Sequence, residues 1–310
     1  ATPQFHRCIQ DIAPVVSSLH GSWLGERDGL LEASMANEAA VWANVNDIAI
    51  RFTAERYAKF EDIAIRESSI CVANSRATRA DFESRYNPPP NWDCEVVHWG
   101  VDTEMFRPLD IENEQENRNF TEIRTRFGAV SPGSKLLLAV GRLAARKGYG
   151  TLIRGFSALN KEMPNTKLVI VGRGHLKRRL MRLAKSLGVG EDVTIESSLS
   201  FAELAQLYRS SDLVVYPSFY EGQGLIPLEA MSSGVPVVTV DHGPLPEMVD
   251  ESVGALFTMG NIESMVSVMK EVLKAGRKKG EKGRARVLQK FTYSGNAESF
   301  ENIYLEAINR

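Results

Sequence analysis

From Lys135 onward the chain alternates short, unbroken apolar runs with segments whose apolar residues recur every three or four positions. Val193–Glu196 predicts a short strand, and the runs Lys135–Val140, Lys167–Val171, Leu213–Tyr216 and Val235–Val240 lack the in–out alternation of a half-wet sheet. They therefore predict strands covered on both faces. Between them, Leu152, Phe156, Leu159 and Met163 form one helical stripe, and Leu176, Leu180, Leu183 and Leu187 another. Ser200-Phe201-Ala202-Glu203 is a capping box that opens a third helix, since Ser200 and Glu203 can satisfy each other's free amides. Strands alternating with helices predict βαβ units and a parallel sheet. Ser134 to about Gln289 thus reads as one doubly wound α/β domain.

The first part is sparser. Pro14–Leu19 predicts a strand ending at His20-Gly21, a mostly helical stretch runs from Gly29 to Glu67, and Ser69–Ala73 and Glu95–His98 predict further strands. The expected organisation is a small or partial N-terminal lobe over 1–108, a polar linker or exposed loop over 109–133 (with a decorated surface helix as the alternative for Leu109–Asn119), the α/β domain over 134–290, and a terminal helix over 291–310 that packs back toward the first lobe. The basic run Lys274–Lys290 reads as a solvated helix face, with contact to an anionic membrane as the sharper alternative.

Composition narrows the function classes. The 37 basic and 39 acidic side chains leave a formal net charge of -2, which argues against a nucleic-acid partner. Cys8, Cys71 and Cys94 show no C-x-x-C spacing, so neither a disulfide framework nor a zinc site is expected, and a reducing, cytoplasmic setting fits. Ala1–Gln10 has no signal-peptide pattern, and no apolar run is long enough to span a bilayer, which leaves peripheral membrane contact open.

Candidate chemistry sits where strands end, the edge at which open parallel sheets bind ligands. Val140-Gly141-Arg142, followed by Arg146-Lys147-Gly148, places cations beside a glycine, as a departing diphosphate requires. Val171-Gly172-Arg173-Gly174 opens like a dinucleotide fingerprint, but position 177 is Lys, so it reads as a tight turn able to line a nucleotide pocket. Glu221-Gly222-Gln223-Gly224-Leu225-Ile226-Pro227-Leu228-Glu229 sets two carboxylates about two helical turns apart around a glycine-opened helix start. Its plainer reading is a pair of acids favouring a helix dipole. His20, taken alone, reads as structural.

Together these motifs resemble family 4 of the retaining glycosyltransferases, which have the GT-B fold of two Rossmann-like lobes. The E-x7-E segment continues as Ala230-Met231-Ser232-Ser233-Gly234-Val235-Pro236-Val237-Val238, similar to the family's "EAMASGVPVV". Val97-His98-Trp99-Gly100-Val101-Asp102 with Phe106-Arg107-Pro108 resembles its interdomain segment, and Val72-Ala73-Asn74-Ser75 its "AVS". The resemblance implies that Arg142 and Lys147 hold the donor diphosphate. It implies that Glu221 contacts the transferred sugar with the amides of Gly222, Gln223, Gly224 and Leu225, that Glu229 binds the ribose, and that Gly172 and Arg173 border the base. His20 matches a histidine close to the reaction centre. Gln223 replaces the usual Phe, a departure expected to bear on sugar preference.

The resemblance further implies a complete C-terminal lobe and an N-terminal lobe truncated before the His20 strand, with a missing segment or partner chain supplying the rest. The implied activity is transfer of a sugar from a nucleotide-diphosphate sugar to a glycan, lipid or small-molecule acceptor, without cofactor or metal, since no D-x-D signal accompanies the donor motifs. The competing expectations are a GT-B sugar-nucleotide epimerase and a non-catalytic nucleotide-sugar-binding subunit.

Overall fold

The computed structural model describes residues 12–38 and 44–310. Ala1–Gln10 with Cys8, and residues 39–43 within the stretch expected to be helical, lie outside the described residues.

The N-terminal lobe comprises strand β1 (Val16–Leu19), helices α1 (Trp23–Met35) and α2 (Val45–Glu67), strand β2 (Ile70–Ala73), helix α3 (Arg76–Tyr86) and strand β3 (Cys94–Val96). Among the described residues its strands form one parallel sheet in the order β1-β2-β3. Helix α3 falls in a polar stretch without a strong apolar run. Its stripe of Thr78, Phe82 and Tyr86, one residue per turn, buries against the sheet, and Ser75 caps it by accepting from the Thr78 amide.

The segment expected as a linker or exposed loop instead carries helix α4 (Glu114–Arg126). Asn113 caps it, Glu114 and Glu116 sit in its first turn and Arg124 and Arg126 in its last, which complements the helix dipole. The Arg124 guanidinium fastens it to the second lobe through Asp212 at 2.9 Å and the Ser134 carbonyl at 2.8 Å. Charge placement rather than an apolar face makes this helix, which is why hydrophobic periodicity does not show it.

The second lobe runs β4 (Lys135–Val140), α5 (Tyr149–Glu162), β5 (Thr166–Val171), α6 (Lys177–Ser186), β6 (Val193–Glu196), α7 (Phe201–Ser210), β7 (Leu213–Tyr216), α8 (Leu225–Ser232), β8 (Val237–Val240), α9 (Leu245–Met248), β9 (Gly254–Phe257), α10 (Ile262–Ala275) and α11 (Lys278–Lys290). The sheet is parallel throughout, in the order β6-β5-β4-β7-β8-β9. Leu136–Ala139 and Val214–Val215 are fully buried, as strands covered by helices on both faces must be. The order reverses direction between β4 and β7, and this switch point opens the crevice in which such sheets hold ligands.

Helix α11 is more than a solvated basic face. Gly280 and Gly283 let it lie against the backbone of Gly234 and the side chain of Met231, so no Cβ fits at Gly280. Arg284 reaches the carbonyls of Thr103, Phe106 and Ser232 within 3.0–3.1 Å and ties the inter-lobe crossing to α8. Helix α12 (Tyr293–Asn309) then returns to the first lobe, where Ile303 and Ala307 pack with Ile70, Val72 and Val97. No helix among the described residues is long and apolar enough to cross a membrane.

In the first lobe Glu61 accepts from the Trp23 amide at 3.2 Å and from the Tyr86 hydroxyl. Burial outweighs these bonds and pushes its carboxyl up to about 7 from an ordinary 4.5. Between those values the folded chain binds more protons than the unfolded one, so this group's stabilisation is complete in acid and declines as pH rises across the window. Glu61→Gln should therefore lose less melting temperature than the wild type between about pH 5 and about pH 8. Equal losses in thermal melts at the two pH values would show that Glu61 titrates normally.

Candidate donor and acceptor site between the lobes

The carboxyl ends of β4 and β7 bring the charged motifs together. After β4 come Gly141 and Arg142, then a single 3-10 turn, Ala145–Lys147. Gly148 follows at φ +70, pressed so closely on the Pro217 carbonyl that a Cβ there would stand 2.0 Å from it. That contact binds the cationic turn to the loop after β7. Phe219 and Ser218 continue the join by donating to the Arg146 carbonyl at 2.7 and 3.2 Å.

The result is a buried cluster. Lys147 pairs with Glu221, the Tyr216 hydroxyl donates to the same carboxylate oxygen at 2.5 Å, and the Lys147 ammonium also reaches that hydroxyl at 3.2 Å. Burial alone would raise the Glu221 carboxyl, but Lys147 and Arg146 outweigh it and hold it below the ordinary carboxylate range. Burial pulls Lys147 down, helped by Arg146 and Arg142 and opposed by Glu221. Arg142 is exposed and makes no ion pair with the described residues.

Helix α8 begins at Gly224, φ +96, with no side-chain cap, so its first amides are open to an anion. Glu229, on its second turn, accepts from the Tyr208 hydroxyl at 2.6 Å, and burial raises its carboxyl above the ordinary value. Gly172 and Arg173 end β5 beside the Gly141 turn. A Cβ on Gly172 would meet the Gly141 carbonyl at 1.9 Å, and the Arg173 side chain donates to the Ser197 carbonyl at 2.8 Å.

The first lobe closes over this end of the sheet. His20 follows β1, its ring 4.6 Å from that of Trp99, and partial desolvation lowers its pKa from 6.5. Its carbonyl lies so near Gly222 that a Cβ there would stand at 1.8 Å, while Ser75 and Thr78 donate to the Gly222 carbonyl at 2.6 and 2.9 Å. Between His20 and Glu221 lies a cavity of about 330 Å³, also lined by Trp23, Glu26, Arg146, Tyr220 and Gly222. Arg146 crosses one wall to Glu26 at 2.9 Å. A second cavity of about 530 Å³ reaches Glu221 from the other side of Tyr220, among Asp28, Glu32, Asp81 and His242. A further cavity, about 860 Å³, lies along α4 among residues from Glu114 to Arg126.

Of the residues singled out in the sequence, Lys147, Glu221, Gly222 and His20 converge directly, and Arg142 shares the β4 turn. Gln223 does not face this cavity. It is 2% exposed, and its amide clasps both backbone groups of Trp99, accepting from the nitrogen at 2.7 Å and donating to the oxygen at 3.1 Å. The Gln that stands in place of the usual Phe thus joins the loop after β7 to the segment at Trp99.

Several contributors gave no signal on their own. Tyr220 threads a groove made by Gly21, Gly25 and Gly29, where a Cβ on Gly25 would stand 2.5 Å from its ring, and it exchanges hydrogen bonds with the Ser22 backbone. The spacing of four between those glycines was the available clue. Glu38, 3% exposed, caps α5 from the other lobe through the amides of Gly150, at 2.7 Å, and Thr151. Glu247 caps α3 in return, accepting from Arg76 and Ala77 at 3.0 and 2.8 Å while His98 lies at 2.9 Å.

Comparison with known proteins agrees with this geometry. The model of the family "Glycosyl transferases group 1" matches residues 121–286. A D-inositol 3-phosphate glycosyltransferase of Segniliparus rotundus is 30% identical over 79% of this chain and 54% of its own length. A GDP-mannose-dependent alpha-(1-6)-phosphatidylinositol monomannoside mannosyltransferase of Mycolicibacterium smegmatis is 31% identical over 71% of this chain and 56% of its own. The chain thus spans about half the length of these two relatives. Among solved structures, sucrose-phosphate synthase from Thermosynechococcus elongatus superposes with a TM-score of 0.72 at 19% identity, over 98% of this chain and 77% of that one. Anabaena HepE in complex with UDP and glucose does so with a TM-score of 0.71 at 20% identity, over 94% and 71%. These likenesses are of fold, the two-lobed GT-B arrangement of parallel α/β sheets. The family match covers more than half of the sequence, and the chain belongs to the group 1 glycosyl transferases, a glycosyltransferase family of GT-B fold.

Proposed function

We propose that this chain carries the donor site of a retaining glycosyltransferase that moves a sugar from a nucleoside-diphosphate sugar to an acceptor hydroxyl. One observation carries the reading: the cationic turn after β4 and the acid–glycine loop after β7 meet at the sheet's switch point, with His20 across a cavity of about 330 Å³. Arg142, Lys147 and the open amides of α8 surround the place where a diphosphate accumulates charge as its bond to the sugar breaks. In this reading these cations supply the charge stabilisation without a metal.

Glu221, held ionised by Lys147 and Arg146, accepts from sugar hydroxyls and orients the ring instead of attacking it. The acceptor oxygen bonds to the anomeric carbon on the face from which the phosphate oxygen departs. The acceptor proton passes to that leaving oxygen, so configuration is retained. His20 lies on the acceptor side, uncharged at neutral pH by its lowered pKa, and orients the incoming hydroxyl. The second cavity, where Asp28 and Asp81 pair with Arg85 and Glu32 and His242 add further polar groups, suits a polyhydroxylated acceptor.

Two substitutions test the assignment, with transfer measured from UDP-, GDP- and ADP-sugars. Lys147→Ala should lower turnover by ~10²-fold or more, because a preorganised cation is lost from the developing charge. Unchanged turnover removes Lys147 from the mechanism. His20→Ala should reduce transfer while leaving nucleotide affinity within a few fold, and a large loss of binding would reassign His20 to the donor pocket.

A further inference from the structure

The cluster behind the cationic turn contains one polar atom with nothing to bond to. Tyr149 opens α5, directly after Lys147-Gly148, and is 1% exposed. Its hydroxyl is buried and has no hydrogen-bond partner among the described residues. The neighbouring Tyr216 hydroxyl is occupied by Glu221. A buried hydroxyl left unpaired costs about 1–3 kcal/mol, so one retained in a charged cleft calls for a ligand or an ordered water.

The geometry shows where such a partner would stand. Gly141, φ +140, lies over the hydroxyl, and a Cβ added to it would meet Tyr149 Oη at 2.8 Å and nothing else within 4 Å beyond its own chain neighbours. The absent side chain leaves a notch at hydrogen-bonding distance, about 2.7–2.8 Å for an O–H···O contact. Arg142 follows Gly141 in the chain, and burial pushes the Tyr149 phenol up, so its hydroxyl remains a donor.

We propose that the Tyr149 hydroxyl, reached through the Gly141 notch, donates a hydrogen bond to a phosphate oxygen of the bound nucleoside diphosphate. This rests on the donor-site reading above. It adds a neutral, directional donor to the point charges of Arg142 and Lys147, and a requirement that position 141 carry no side chain.

Tyr149→Phe in the full chain separates a ligand contact from a structural role, because the two predict opposite signs. Without ligand, removing an unpaired buried hydroxyl should leave the melting temperature unchanged or raise it. In calorimetric titrations with UDP, GDP and ADP, the diphosphate that binds the wild type should bind the variant about tenfold more weakly or worse, as for a lost hydrogen bond to a charged group. Affinity for the corresponding nucleoside should be unchanged. Equal diphosphate affinity in variant and wild type overturns the inference, and a lowered ligand-free melting temperature alongside it would assign the hydroxyl to a buried water. A wild type that binds none of the three diphosphates overturns the donor-site reading and this inference with it.

Discussion

The buried contact between Lys147 and Glu221 is the constraint around which the site is organised. Lys147 ends a single 3-10 turn, and Glu221 lies in a loop. Each follows a strand at the switch point of the second sheet, and close backbone packing of Gly148 on Pro217 is needed to bring them together. Taking two charges out of water costs several kcal/mol per ion, and their mutual attraction only partly returns it, so such a pair is poor evidence of a device for stability. Tyr216 and Arg146 supply the further partners that keep the carboxylate ionised. An arrangement that is expensive to hold, open to a cavity and bordered by the unpaired Arg142 suits binding an anion better than it suits folding.

The first lobe is held against this site by polar contacts of an unusual kind. Each lobe contributes a carboxylate that caps a helix of the other, Glu38 on α5 and Glu247 on α3, and Gln223 clasps the backbone of Trp99 in the segment after β3. A cap contributes about 1 kcal/mol, and water can replace it once the lobes part. Beside these polar contacts, Leu30 and Ala33 of α1 join the apolar core of the second lobe, so the contact between lobes is mixed.

Legibility in the sequence followed the physics of each signal. Strands β4 and β7 were readable to the residue because short unbroken apolar runs between turns have few other stable environments, and β6 because β-branched Val193, Thr194 and Ile195 favour an extended backbone. The capping box at Ser200 formed as its spacing requires. Helices α3 and α4 were not readable from apolar periodicity, since caps and end charges rather than a wide apolar stripe define them. Among site residues, those that carry charge at strand ends stood out. Glu38 and Tyr220 did not, and Gln223 stood out only as a departure within its loop, because their roles lie in contacts between lobes, and nothing local in a sequence states which distant backbone an amide or a carboxylate will meet.

The two acids of the E-x7-E segment show how one motif yields two chemistries. They sit on the same loop and helix, yet their surroundings drive them apart. Two cations hold Glu221 below the ordinary carboxylate range, while Glu229 meets only the Tyr208 hydroxyl and rises above it. An ionised carboxylate can only accept hydrogen bonds, whereas a carboxyl that takes up its proton more readily can also donate one. Divergence of paired carboxyls through environment is the usual means by which a site divides electrostatic from recognition work, and here it depends on Lys147 reaching only one of the two.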